Sequence, residues 1–214
     1  MTPIVCYVTD RKALGAADPV RSLLARIRRA QTAGVDWVQL REQDMPARAL
    51  LTLASAAIGG PQTEARVLVN DRLDVALAAG AAGVHLGGAS VPAREAVRWL
   101  QKSNPPAGFR IGVSCHRRQE AREAEDAGAS YVYFGPVFDT PSKKSYGPPQ
   151  GTQRLAEVCG AVRIPVIAIG GVNEQNAAEC VRAGAAGIAA IRMFQESRDG
   201  ESLEQTLTRL HGER

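Results

Sequence analysis

Short apolar runs alternate with longer amphipathic stretches along the whole 214-residue chain, and the alternation keeps a period. Four runs share one lead-in: "AGVDWVQLR" at 33–41, "AGAAGVHLG" at 79–87, "AGASYVYFG" at 127–135 and "AGAAGIAAI" at 183–191. Each begins with Ala-Gly closing a helical pattern, takes a short polar or small step, and enters an apolar stretch. A glycine just past the last helical residue can adopt the left-handed conformation in which a β-carbon clashes. The stretch that follows is short and rich in Val or Ile, which is how a strand buried on both faces reads.

Four other apolar runs lie between these copies: "IVCYVTD" at 4–10, "RVLVND" at 66–71, "RIGVSC" at 110–115 and "PVIAIGG" at 165–171. Interleaving the two sets gives eight strands, each followed by a helical stretch. Glycines 34, 80, 128 and 184 stand 46 to 56 residues apart, the span of two βα units. Strict βα alternation implies a parallel sheet with right-handed crossovers. The pattern therefore predicts an α/β protein, a single (βα)8 TIM barrel forming one domain over residues 1–214. A doubly wound sheet of five or six strands is the competing fold. It needs two strands to be misread, and no GxGxxG follows the first strand.

The active site of such a barrel lies at the C-terminal ends of its strands. Those ends carry Thr9-Asp10-Arg11, then Gln39, Arg41, Glu42 and Gln43, then Asn70-Asp71, then His85 and Gly87-Gly88, then Ser114-Cys115-His116. The sixth strand leads into Asp139, Thr140, Ser142 and Lys143, the seventh ends in Gly170-Gly171, and the eighth in Ile191-Arg192. Polar residues thus crowd one end of the predicted barrel, as an enzyme requires and a scaffold does not.

Gly170-Gly171 is the first candidate for phosphate. Glycines let backbone N–H groups approach an anion, and the loops after strands seven and eight are the usual phosphate site of this fold. A plain strand-to-helix turn is the blander alternative. Arg192 points the same way, because a cation at a helix start opposes the helix dipole unless an anion is near; otherwise it turns into solvent. The loop 138–151, "FDTPSKKSYGPPQG", is too rich in Gly, Pro, Ser and Lys for a helix and reads as a lid. In it Thr140, Ser142 and Lys143 offer two hydroxyls and an ammonium to phosphate oxygens.

Composition narrows the partners. The net charge is +4, but basic and acidic residues interleave, as in "RQEAREAEDAG", and aromatics are only 5%, so a nucleic-acid surface is not expected. No apolar stretch reaches membrane-span length, and the first residues lack a basic segment followed by an apolar one. Cys6, Cys115, Cys159 and Cys180 form no CxxC, so reduced thiols in the cytoplasm are expected. A homo-oligomer is compatible with all of this.

Taken in order, "YVTDR", "VQLRE", "VNDRLDVALAAGAAGVHLG", "IGVSCH", "YVYFGPVFDTPSKK" and "IPVIAIGGVN" closely resemble the thiamin-phosphate synthase/TenI superfamily from about residue 5 to residue 194. The resemblance implies a TIM barrel acting on the small phosphorylated thiazole of thiamin synthesis, by one of two reactions. Thiamin-phosphate synthases join a pyrimidine diphosphate to thiazole phosphate and release pyrophosphate with Mg²⁺. TenI-type thiazole tautomerases move a proton to aromatise carboxythiazole phosphate, with no metal or other cofactor.

Against the synthase pattern the chain keeps Gln39, Arg41, Glu42, Asn70, Asp71, Ser114, Thr140, Lys143 and, as Ser for Thr, Ser142. It departs at Gln43, where the pattern has Lys, at Ala89-Ser90, where it has an acidic pair, and at Arg192, where it has Ser. Mg²⁺ beside a leaving pyrophosphate normally takes one or two carboxylates, and only Asp71 survives. The tautomerase is therefore the first expectation, with His116 as acid/base, Glu42 assisting it or pairing with an Arg, and Gly170-Gly171 and Arg192 on the phosphate. A histidine titrates near working pH, which suits the role, although a surface histidine at a helix start is the bland reading of His116. The synthase is the alternative, with Mg²⁺ on Asp71 and Arg41, Ser114, Thr140 and Lys143 around the diphosphate. A non-catalytic sensor of thiazole or thiamin phosphate is the third. Cys115 is expected to be a core thiol and His85 to pack against the barrel wall.

Overall fold

A computed structural model describes residues 2–61, 63–140, 148–196 and 200–212. All eight apolar runs are strands: β1 Ile4–Val8, β2 Trp37–Leu40, β3 Arg66–Asn70, β4 Gly83–Leu86, β5 Arg110–Cys115, β6 Tyr131–Phe134, β7 Val166–Ile169 and β8 Gly187–Ala190. Each pairs in parallel with its neighbours in chain order, and β8 returns to β1, so the sheet closes into a barrel. The doubly wound alternative is thereby set aside. Among the described residues, helices α1 Pro19–Thr32, α2 Ala47–Ile58, α3 Leu73–Ala78, α4 Ala93–Gln101, α5 Arg118–Asp126, α6 Gly151–Cys159 and α7 Ala177–Arg182 link successive strands.

Helix α1 shows why the units form. The Asp18 carboxylate accepts from the Arg21 N–H at 3.0 Å, and Pro19 occupies the first helical position, where a missing N–H costs nothing. Leu23, Ile27 and Ala30 make its inner stripe. The chain then leaves at Gly34, whose φ of +97° is matched by +67°, +91° and +95° at Gly80, Gly128 and Gly184. The repeated glycines are therefore left-handed helix exits, and they set the period.

Two apolar layers result. One lies between the sheet and the helices, and the other fills the barrel with Cys6, Val8, Trp37, Leu68, Tyr131, Tyr133, Ile167 and Ala189. The strand register sets Cys6 beside Trp37 and Gly112 beside Tyr131, so these large rings each have a small neighbour in the filling. Gly112 on β5 leaves room for Tyr131, since a Cβ there would run into the phenol ring.

Three elements fall outside the simple repeat. Arg11–Leu14 form a 3-10 turn after β1, Arg192–Gln195 form the short α8 directly after β8, and Gly200–Gly212 form α9. Leu203, Leu207 and Leu210 of α9 are buried, and His211 Nε2 lies 2.9 Å from the Asp36 carboxylate, which also accepts from the Val5 N–H. That contact fastens α9 to the N-terminal end of the barrel, away from the mouth. Among the described residues, no helix is long and apolar enough to cross a membrane.

Candidate active site

A cavity of about 860 Å³ opens at the C-terminal ends of the strands. It brings together Gln39, Arg41, Asn70, Ser114, His116, Thr140, Gly170, Gly171 and Arg192, which the chain order scatters over more than 150 residues. Ser142 and Lys143 lie outside the described residues. Glu42 and Asp71 are not among the lining residues.

The floor is a relay whose polarity can be derived. Asp71 is an acceptor, and its Oδ2 takes the Asn70 Nδ2 hydrogen at 2.6 Å. Asn70 must then present Oδ1 to its other neighbour, and Gln39 Nε2 donates to it at 2.8 Å. This order leaves Gln39 Oε1 buried and without a hydrogen-bond partner among the described residues. A buried acceptor beside a cavity is satisfied by a ligand N–H or O–H, or by water. On its other oxygen Asp71 accepts from the Gly87 N–H at 3.2 Å and from the Ser90 hydroxyl. Asp71 itself sits at φ +60°, an uncommon conformation for a non-glycine residue, which turns its carboxylate back toward β4.

Next to the relay stands a second buried chain. His85 Nε2 lies 2.9 Å from Ser114 Oγ, and His85 Nδ1 lies 3.2 Å from the Tyr131 hydroxyl. The imidazole also packs on Tyr133, ring centroids 4.0 Å apart. Complete burial pushes its pKa down to about 3, with Arg41 acting in the same direction and Asp71 against it. His85 is thus neutral at physiological pH. It packs inside the barrel wall as expected, but it also meets a serine that lines the cavity.

The rim comes from the later strands. Gly170 and Gly171 have φ of +92° and +68°, and a Cβ would fall 2.6 Å from Pro136 at the first and 2.5 Å from the Asp139 carbonyl oxygen at the second. The two glycines therefore let the β6 loop lie directly on the end of β7. Arg192 is the first residue of α8, its side chain is 59% exposed, and its Nε is 3.8 Å from Glu196. His116 lines the cavity with Nδ1 only 2.5 Å from the Gly135 carbonyl, while its backbone N–H donates to Glu120 at 2.6 Å. A carbonyl only accepts, so Nδ1 carries the hydrogen and Nε2 is the nitrogen able to take a proton in the neutral ring.

Glu42 departs from the expected acid/base role. Its carboxylate, 2% exposed, accepts from Thr9 Oγ1 at 2.6 Å, from Arg11 Nη1 at 2.8 Å and from the Arg11 backbone N–H. These bonds tie the end of β2 to the turn after β1, so the pairing alternative is the one the geometry favours. Cys115 is buried, and desolvation pushes its pKa up to about 12, as a core thiol requires.

Several residues at the site escaped the sequence. Arg26 lines the cavity from the middle of α1, and Gln195 of α8 donates to the Asp10 carbonyl at 2.8 Å. Neither sits at a strand end, so the strand-end inventory could not find them. Ser90 was visible as a missing acid, and its bond to Asp71 was not. Tyr133 is one more lining residue hidden in an apolar run.

Comparison with known proteins bears on what this cavity does. The family model described as thiamine monophosphate synthase (TMP-TENI) matches residues 5–194. A thiamine-phosphate synthase from Methanoculleus marisnigri is 45% identical over 78% of this chain and 77% of its own. One from Roseiflexus castenholzii is 42% identical over 95% of this chain and 86% of its own. The solved thiamine phosphate pyrophosphorylase from Pyrococcus furiosus superposes with a TM-score of 0.84 at 30% identity, covering 98% of this chain and 96% of that one.

Proposed function

The chain belongs to the thiamine monophosphate synthase family, and from that premise we propose that it is a thiamine-phosphate synthase, joining a pyrimidine diphosphate to thiazole phosphate with release of pyrophosphate. It is an enzyme of thiamine biosynthesis. The observation that carries the finer reading is identity of 42% and 45% to relatives named thiamine-phosphate synthase. This reverses the order expected from the motifs, in which the missing acidic pair put the tautomerase first. The sensor reading falls away with the enzyme assignment.

The cavity supports the reading chemically. Its volume of about 860 Å³ suits two small ring substrates side by side. Gln39 Oε1 faces an N–H of the heterocycle, held in that orientation by Asn70 and Asp71. Arg41, Ser114 and Thr140, with Ser142 and Lys143, take the diphosphate. Gly170, Gly171 and Arg192 take the thiazole phosphate. A small-molecule partner at this mouth needs neither nucleic acid nor membrane.

The metal can be tested against the residues present. A carboxylate offers about four lone-pair positions, and Asp71 spends three on Asn70, Gly87 and Ser90. One remains, so Asp71, which lies behind the lining residues, could give Mg²⁺ at most a single bond, and waters and substrate phosphate oxygens would supply its other ligands. Bound there, Mg²⁺ would supply positive charge to the leaving pyrophosphate. Ser90 and Gly87 keep Asp71 aimed, and Arg41 adds the cationic charge that Gln43, in place of a lysine, does not.

The coupling assay decides the matter. Pyrimidine diphosphate and thiazole phosphate together should yield thiamine phosphate and pyrophosphate, with a clear dependence on Mg²⁺. No pyrophosphate in either condition overturns the reading. A second reading, the tautomerase, is favoured by one observation, the placement of His116 with Nδ1 anchored on Gly135. It predicts aromatisation of carboxythiazole phosphate without metal, lost in His116→Gln.

A further inference from the structure

The buried chain Ser114–His85–Tyr131 has two self-consistent arrangements of hydrogens. In the first, His85 Nδ1–H donates to the Tyr131 oxygen and the Ser114 hydroxyl donates to Nε2. In the second, the Tyr131 hydroxyl donates to Nδ1, Nε2–H donates to Ser114 Oγ, and the Ser114 hydrogen turns into the cavity.

The two differ in what they leave unpaired. Tyr131 is fully buried, and among the described residues its hydroxyl has no hydrogen-bond partner but His85 Nδ1. The neighbouring phenol, Tyr133, meets Cys6 Sγ instead, at 3.1 Å. The first arrangement therefore strands the Tyr131 hydrogen in the core with no acceptor, a state buried donors avoid. The second gives every buried hydrogen an acceptor. It sends the one remaining donor, on Ser114, to the cavity, where ligand or water can accept it.

We propose that the Tyr131 hydroxyl holds His85 as its Nε2–H tautomer, and that His85 thereby fixes Ser114 as a hydrogen-bond donor to the anion bound at the barrel mouth. His85 and Tyr131 are positioning residues, since the contact to the anion is made by Ser114. The diphosphate as that anion rests on the synthase reading above, whereas the tautomer does not. The fold supports the device at one further point. Gly112 opens the space through which the Tyr131 phenol reaches His85, and Trp37 braces that phenol at a ring separation of 4.8 Å.

The tautomer can be read directly. The chain has three histidines, so long-range ¹H–¹⁵N spectra of the wild type, assigned with His116→Gln and His211→Gln, isolate the His85 signals. A protonated Nε2 beside a pyridine-like Nδ1 is expected, and the reverse pattern overturns the proposal. The consequence is read with inorganic pyrophosphate as the probe. Ser114→Ala should weaken its binding roughly tenfold, about 1.4 kcal/mol. Tyr131→Phe keeps the ring and its packing and should weaken binding several-fold while His85 becomes a mixture of tautomers. In the Ser114→Ala background Tyr131→Phe should add nothing, because the two act through one hydrogen bond. Equal losses in both backgrounds would mean a packing effect only, and the proposal fails. Tautomer and cycle can hold while the coupling assay is negative, in which case the synthase reading alone is lost.

Discussion

At the scale of single residues, polar groups at this mouth are assigned by what they can no longer do. Glu42 has three donors on its carboxylate and is not among the cavity-lining residues, so these bonds hold the β1 turn to β2. Glu42→Gln replaces an acceptor oxygen by an NH₂ that meets Arg11 or Thr9 head-on. Hydrogen bonds to a charged group contribute about 1.5–3 kcal/mol each, and some will re-form through the remaining oxygen. A loss of about 2–3 kcal/mol in urea unfolding is expected, with kcat of the folded enzyme within a few-fold of wild type. A large fall in kcat at unchanged stability would return Glu42 to the chemistry. Gln39 shows the converse. Its side-chain oxygen, without a partner among the described residues, could not be read from the sequence, because it follows from a charge two residues along the relay, and the relay exists only once β2 and β3 are paired. The polar residues at the strand ends were legible; the direction each hydrogen bond runs was not.

Elements carry a different kind of information. The strand boundaries were legible to within a residue or two, because apolar runs and glycine exits are local signals that the barrel leaves intact. Gly170-Gly171 was legible only in part. Its reading as an anion cradle used the permissiveness of glycine toward a ligand. The structure adds a tighter constraint from the protein itself, since Pro136 and Asp139 occupy the space a side chain would need. Gly171→Ala should therefore push the β6 loop off β7. Both the positive φ and the clash oppose it, and a loss of about 2–4 kcal/mol is expected, in the range of overpacking combined with backbone strain. Thermal unfolding should show that loss together with a raised KM for thiazole phosphate. A raised KM with unchanged Tm would mean that the glycine serves only the ligand. Arg26 and Gln195 belong to this scale as well: helices α1 and α8 deliver them over the rim, and no pattern along the chain signals such a reach.

For the whole molecule, the buried imidazole couples folding to pH. The pKa of His85 lies near 3 in the folded chain, against an ordinary 6.5. Between those values the unfolded chain takes up a proton that the folded one refuses. The stability contributed by neutral His85 is thus fully present above pH 6.5 and is lost as pH falls toward 3. By pH 4 the loss reaches about 3 kcal/mol. Urea midpoints of wild type should fall more steeply from pH 7 to 4 than those of His85→Gln, and parallel slopes would show that another group is responsible. The barrel as a whole was the most legible feature, because eight local signals agree on it and a single misread strand would have left the cycle open.

The pairing of β1 with β8 has a consequence in time rather than in space. Synthesis proceeds from the first strand to the last, and Gly187 leaves the ribosome 179 residues after Val8. At about 5–20 residues per second, β1 waits roughly 10–35 s for its second partner. During that interval one row of its peptide groups is an open template for any strand nearby. The nascent chain, rather than the finished barrel, is therefore the form in which the edge of β1 stands open to wrong pairing.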